Sequence, residues 1–392
     1  MRSTALTKFR SPARSARLAV ALVFFMHGAL TGGWVPHIPL AKEGLGVGTG
    51  AFGWLLLAMA GGGVAAMPVA GVLIGRTGSA AVVRAAGFLF CASFPLPVYA
   101  SHPLTLALAL ALFGAALGTL DVAMNAHAVA VERYLHRPVM SSFHGCYSVG
   151  AAVGAGFGGV IVGSLGAHVH VLVTVAACLA MLGAASRLLL GSGVDRGVSG
   201  SHFAWPTSAT LRLGTLCFLA LFVEGAMLDW SGLHLRQNMG ATVELAGSGF
   251  AAFSCGMAAT RFAGDRLRLR FGAVWLVLTS ALALSLGLAA ALTLPNPVLG
   301  ILAFAVAGLG VGNIAPVLFA GGGRVETDAP GRGIAAVTTM GYSGFLLGPP
   351  VIGMVAEWIG LRHALMLTIV AGLVIAGSAR AARAADGDHP HS

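Results

Sequence analysis

Three of the thirteen acidic residues of the chain fall inside long apolar stretches: Asp121, Glu224 and Asp229. A carboxylate in hydrocarbon costs about 2.5–3.5 kcal/mol even on lenient insertion scales, so each must face protein or a water-filled cavity, and such residues commonly serve proton or ion pathways. Glu224 stands about thirteen residues into its stretch, close to the bilayer midplane at a rise of about 1.5 Å per residue. No basic residue is near it in sequence, which makes it the first candidate for loading and releasing a proton. Asp121 shares a helix face with Gly114, Gly118 and Asn125, a small-polar stripe that reads either as a second coupling site or as a structural Asp–Asn patch. Asp229, beside Trp230, reads equally as part of a gate or as a solvated helix end.

His27 lies on one helical face with Thr31, Trp34 and Ile38. An imidazole can hold or release a proton near neutral pH, although a lone helical His is more often structural. His127 and His144, near stretch ends, are weaker candidates. Trp34 and Trp230 could stack on a ring-bearing solute or belong to an interfacial aromatic belt. The five cysteines (Cys91, Cys146, Cys178, Cys217, Cys255) show no CxxC and no metal-type His spacing, so neither a disulfide framework nor a metal site is expected. HExxH, GxSxG and GxxxxGK[ST] are absent, which argues against an enzyme, against ATP-driven chemistry and against any cofactor.

The elements that must position these groups follow from composition. With 57% hydrophobic and 9% charged residues over 392 positions, lipid must be the solvent. Apolar runs are expected to cross the bilayer at about 17–40, 50–74, 82–100, 104–131, 143–165 and 168–190, and again at 211–234, 246–264, 271–294, 297–320, 333–356 and 360–380. The spacing predicts an all-α membrane protein of twelve transmembrane helices: an N-terminal six-helix bundle (1–190), a cytoplasmic linker (191–210) and a C-terminal bundle with a polar tail (211–392), whose His389 and His391 read as solvated. The 57 Gly suit close helix packing. The net charge of +10 reads as topology, not as a nucleic-acid surface. Twenty of the 23 Lys and Arg fall on one side, leaving Lys42, Arg236 and Arg362 on the other, so both termini are expected to be cytoplasmic in a bacterial plasma membrane. The basic N-terminal stretch could alternatively be a signal peptide, but no small-residue cleavage site follows it.

The two halves also resemble one another. His27-Gly28-Ala29-Leu30 with Trp34 matches Glu224-Gly225-Ala226-Met227 with Trp230. Gly118 and Asp121 match Gly310 and Asn313. Gly150, Gly154 and Gly159 match Gly344, Gly348 and Gly353, and Gly75-Arg76 matches Asp265-Arg266. This pairing would set His27 and Glu224 across a central cavity between two bundles that rock.

The segment from Gly71 through Arg76 to Gly78 resembles the cytoplasmic loop motif of the major facilitator superfamily, in which an Asp-Arg pair latches the inner face. Gly75 occupies the place of the usual Asp, and Ser79 that of a basic residue. The second copy keeps the acid as Asp265-Arg266, with Arg261 on the same inner segment. The strings LDVAMNAHAV, SSFHGCYSVG, EGAMLDWS and GYSGFLLGPP are similar to bacterial permeases related to fucose-proton symporters. The resemblance implies the two-bundle fold and a carrier of a small organic solute, sugar-like or another metabolite, coupled to protons and working as a monomer. The glycine pattern around Gly150 and Gly154 is also similar to that of drug-proton antiporters, with Ala155 in place of a proline, so efflux is a second reading; a non-transporting receptor is a third.

Overall fold

The computed structural model describes residues 12–136, 139–191, 207–326 and 330–386. Most of the expected linker and the extreme ends lie outside the described residues. In lipid every backbone amide must be satisfied within its own segment, and the described chain is helical apart from short turns between helices.

The first half consists of α1 (Arg14–Leu45), α2 (Thr49–Thr77), α3 (Ser79–Val98), α4 (Pro103–Leu135), α5 (Met140–Leu165) and α6 (Ala167–Ser186). The second consists of α7 (Ser208–Met239), α8 (Ser248–Phe271), α9 (Ala273–Thr293), α10 (Pro297–Val325), α11 (Pro330–Ile359) and α12 (Leu361–Gly377). Among the described residues nine of these segments are long and apolar enough to cross a membrane, and α12 with the following 3-10 turn forms a tenth, bent unit. The two others, α8 and α11, are long but less apolar. The first carries Arg261, Asp265, Arg266, Arg268 and Arg270, and the second carries Thr, Ser, Tyr and two internal prolines, Pro349 and Pro350. These helices lie against the opposite half, α8 on α5 and α11 on α2; Arg261 is buried there, whereas Asp265, Arg266 and Arg270, toward the end of α8, are exposed.

Glycines set the helix joints, and they fix how the halves superimpose. A Cβ on Gly114 would lie 1.8 Å from the Met59 carbonyl oxygen, and one on Gly308 would lie 1.9 Å from that of Phe253; Gly62 against Ala111 is matched by Gly256 against Ala305. Thus α2 crosses α4 as α8 crosses α10. Gly150 against Phe25 (2.0 Å) recurs as Gly344 against Phe218 (2.1 Å), so α1 crosses α5 as α7 crosses α11. The helix-to-helix turns repeat too: Gly78 and Gly272 have φ of 83° and 78°, and Gly166 and Gly360 have 88° and 81°, a region that Gly reaches without steric cost. The separation in these turns is 194 residues (78 to 272).

This register keeps the expected match of Gly150, Gly154 and Gly159 with Gly344, Gly348 and Gly353, and corrects the other three. Gly118, against Gly63, corresponds to Gly312, against Met257, and not to Gly310. Asp121 therefore faces Ala315 in the repeat, not Asn313. With Gly78 equivalent to Gly272, Arg76 corresponds to Arg270, and Asp265 corresponds to Gly71. Gly32 against Ala151 corresponds to Gly225 against Phe345, which makes Thr31, one turn from His27, the counterpart of Glu224. Sequence rich in Gly and Ala offers several alignments; only the backbone approach that each glycine permits selects among them.

Candidate functional site

A cavity of about 460 Å³ lies between the two halves, walled by α1, α2, α4 and α5 on one side and α7 to α11 on the other. It extends toward the face carrying the turns at Gly78 and Gly272, called here the basic face, where Met140, Ser141 and Arg268 line it. Of the expected polar residues, His27, Asp121, Glu224 and Asn313 stand on its wall, together with the weaker candidate His144 and the expected gate residues Arg261 and Asp265.

Glu224 is not the isolated carboxyl that its sequence neighbours suggest. Arg261, 37 residues further on, reaches it from α8, with Nη2 3.4 Å from Oε2. Both side chains are largely buried, at 12% and 9% exposure, so removing either partner would leave a charge uncompensated. Arg261 also donates through Nη1 to Ser148 Oγ of α5 at 2.7 Å, a bond across the halves. Arg261 is therefore removed from the inner gate and from the basic-face loops: its place is the middle of α8, on the cavity wall. Its spacing from Asp265, one helical turn, concealed this.

Asp121 is tied across the halves as well. Tyr342 of α11 donates its hydroxyl to Oδ2 at 3.0 Å, and Asn125, one turn along α4, donates to Oδ1 at 3.2 Å and to the Asp121 carbonyl at 2.8 Å. Asn125 does not line the cavity; it holds Asp121 in place. His27 Nε2 lies 3.4 Å from the Leu117 carbonyl, while its Nδ1 is buried without a partner among the described residues, as are Asn313 Nδ2 and Arg261 Nε. Asn313 owes its position to the break in α10 at Gly312–Asn313, beside Gly264, where any Cβ would collide with its amide. These three atoms belong to wall residues but are themselves buried, so bonding a solute would require their side chains to turn.

The two tryptophans and Asp229 are elsewhere. Trp34 and Trp230 are almost wholly buried, Trp34 stacked on His37 and Trp230 set edge-on to Phe52, and neither lines the cavity. Solute stacking and an interfacial belt both give way to core packing. Asp229 is buried at 2% exposure, so it is not a solvated helix end. Of the expected gate motif, Gly78 makes the α2–α3 turn, Gly71 lies within α2, and Arg76 and Arg266 are exposed. Asp265 makes the cross-half contact, accepting from Ser141 Oγ at 3.4 Å. Nearby, Arg268 and Arg324 both donate to the Ala385 carbonyl, and Asp386 accepts from the Ala273 amide at 2.9 Å, so the end of the described chain clasps α8, α9 and α10. Ser148 and Tyr342 escaped sequence reasoning; the signal was their place in the repeat, since 148 and 342 are equivalent positions and each carries a cross-half bond.

No protein-family model matches the chain. An uncharacterised MFS-type transporter of Yersinia pestis is 36% identical over 94% of this chain and 96% of its own length. The chain belongs to the major facilitator superfamily. Membrane protein MosC of Rhizobium meliloti, also similar, is 33% identical over 91% of this chain and 88% of the relative. Among solved structures, the nucleoside transporter NupG superimposes with a TM-score of 0.69 at 14% identity, covering 94% of this chain and 98% of that one. The D-xylose-proton symporter does so with a TM-score of 0.70 at 14% identity, covering 92% and 97%. The shared fold of the superfamily thus spans nearly the whole chain, and the protein is a membrane transporter of small solutes, not an enzyme.

Proposed function

We propose that the chain is a proton-coupled carrier that moves a small organic solute by alternating access, with Glu224 as the coupling carboxylate and Arg261 as its switchable partner. The observation that carries this reading is the buried Glu224–Arg261 pair on the wall of a cavity shared by both halves. When Glu224 takes up a proton it releases Nη2 of Arg261, which can turn to a solute acceptor while Nη1 keeps Ser148 of the other half. When Glu224 loses the proton, the guanidinium is drawn back. Proton occupancy and the contact between halves are then linked through one side chain, as coupling requires. Asp121 and Tyr342 form the second cross-half tie, which solute entry would displace.

The charges on the wall limit the solute. Glu224 neutralises Arg261, Asp121 has uncharged partners, and Arg268 is bonded to the Ala385 carbonyl, which leaves its charge in place. Among the described wall residues the acids Asp121, Glu224 and Asp265 outnumber the cations Arg261 and Arg268, so the solute is expected to be uncharged or cationic. Resemblance to the fucose-proton permease group favours uptake by symport of a sugar-like metabolite. Four methionines on the wall, Met59, Met67, Met124 and Met140, favour export of apolar compounds as the second reading, since thioethers adapt to varied shapes. By the distribution of basic residues the basic face and both termini are on the cytoplasmic side of a bacterial plasma membrane, and the family resemblance implies that the monomer suffices.

Uptake and counterflow in proteoliposomes with a panel of neutral, cationic and anionic solutes tests the proposal. Accumulation of a neutral or cationic solute under an imposed pH gradient is expected. Binding without flux would convert the reading to a receptor, and extrusion of apolar compounds would favour the exporter. Labelling of cysteine introduced at Ser199 (Ser199→Cys) from outside intact cells would overturn the orientation.

A further inference from the structure

On the face opposite the basic loops, the halves meet at two junctions related by the repeat. At the first, Gly159 and Gly163 of α5 face the short segment leading into α8. A Cβ at Gly159 would lie 2.6 Å from the Glu244 carbonyl, and one at Gly163 would lie 2.4 Å from Glu244 Cγ. At the second, Gly353 and Glu357 of α11 face the start of α2. A Cβ at Gly353 would lie 3.0 Å from the Thr49 carbonyl. Equivalent positions carry opposite residues: Glu244 corresponds to Gly50, and Gly163 to Glu357. Each junction is one glutamate seated over one glycine, with the glutamate supplied by the other side each time.

The two carboxylates are engaged differently. Glu357 Oε2 accepts from the Gly50 amide at 2.8 Å, in the first turn of α2, so its charge bonds across the halves to one of the unsatisfied amides of a helix start. The carboxyl of Glu244 is engaged within its own segment, where a hydrogen bond from Thr242 holds it below the usual carboxylate range. One junction is thus a polar clasp and the other a steric fit. A third tie, the two-armed pair of Arg236 with Glu43 at 2.9 and 3.0 Å, joins the ends of α7 and α1.

We infer that Glu357 is a positioning residue of the gate on this face: its carboxylate, clasping the start of α2, holds the face shut and must let go in every cycle that opens it. The glutamate touches neither the cavity nor the coupling pair, so its removal alters the balance between open and closed states without altering the solute site. Its role goes beyond the coupling reading and holds whichever solute or ion is carried.

The test uses the full chain with its native cysteines replaced and a single cysteine at the cavity-lining Leu228 (Leu228→Cys). Its rate of labelling by a membrane-impermeant maleimide is measured separately in right-side-out and inverted vesicles. Loss of a hydrogen bond to a charged group corresponds to roughly tenfold or more in the open-to-closed ratio. Glu357→Ala is expected to raise labelling from the clasp face by about tenfold and lower it from the basic face, Glu357→Gln, which keeps an uncharged acceptor, to do so by only a few fold, and Glu244→Ala to change either rate by less than about twofold. If Glu357→Ala is not recovered folded, Glu357→Gln decides alone. Labelling by the Glu357 variants equal to the parent, or an increase by Glu244→Ala as large as theirs, would overturn the inference.

Discussion

In the N-terminal half the cavity wall presents Asp121, whose partners Tyr342 and Asn125 are uncharged, whereas in the C-terminal half it presents Glu224 against the guanidinium of Arg261. The backbone beneath these groups is the same. Gly114 and Gly308 admit their neighbouring helices to within a tenth of an ångström of each other, and positions 148 and 342 both carry a bond to the opposite half. Yet Arg261 corresponds to Met67, Glu224 to Thr31 and Asp121 to Ala315. The repeat keeps helix joints and places of cross-half contact, while the chemistry hung on them differs, so that one half holds a buried ion pair and the other an acid with neutral partners.

The strongest separation between the halves should come at Arg261. Arg261→Leu leaves Glu224 buried without its cation, at a cost of about 3–5 kcal/mol, and should abolish transport, whereas Met67→Leu at the equivalent site should be nearly neutral. Thermal unfolding and flux of the two variants measured side by side decide this; similar losses would mean the pair does no more than fill space. The joints should behave in the opposite way. Gly114→Ala and Gly308→Ala should destabilise alike, by about 1–3 kcal/mol, because each Cβ meets a carbonyl, while Gly183→Ala, with nothing near it, should not destabilise. Unequal losses at Gly114 and Gly308 would dissolve the equivalence.

These contrasts show what sequence could and could not reveal. Polar groups inside apolar stretches announce themselves, because hydrocarbon excludes them; Asp121, Glu224 and His27 are legible that way and reach the wall, Asp229 is equally legible but lies off it, and Asn313 is reached only through a repeat match whose register the structure corrects. Aromatic residues give no such signal, since lipid-facing and core-facing surfaces are equally apolar, and Trp34 and Trp230 were accordingly assigned to the wrong environment. Apolar length marks most of the segments, α8 and α11 being the least apolar of them, but the register of the repeat depends on which glycine meets which carbonyl, a property of pairs of helices. Arg261 was misplaced for a related reason: counting from the basic loop puts it near the membrane edge, whereas its partners, Glu224 and Ser148, lie 37 and 113 residues away.

Smaller effects sharpen the contrast further. Tyr342→Phe removes the cross-half donor to Asp121 and should slow transport about tenfold, the equivalent of one hydrogen bond to a charged group, with counterflow and accumulation reduced together. Trp34→Phe should leave the solute KM within about twofold, because a residue packed outside the cavity contributes no solute contact; a large KM change measured by uptake kinetics would return Trp34 to the site.

Glu224→Gln examines the division of labour itself, because it preserves shape and a hydrogen-bond acceptor for Arg261 while removing the titratable proton. In proteoliposomes it is expected to exchange solute at close to the parental rate, since exchange moves no net proton, and to fail to accumulate solute under an imposed pH gradient, whereas Asp121→Asn should impair both activities. Undiminished accumulation by Glu224→Gln would contradict the account and transfer the coupling role to Asp121 or His27.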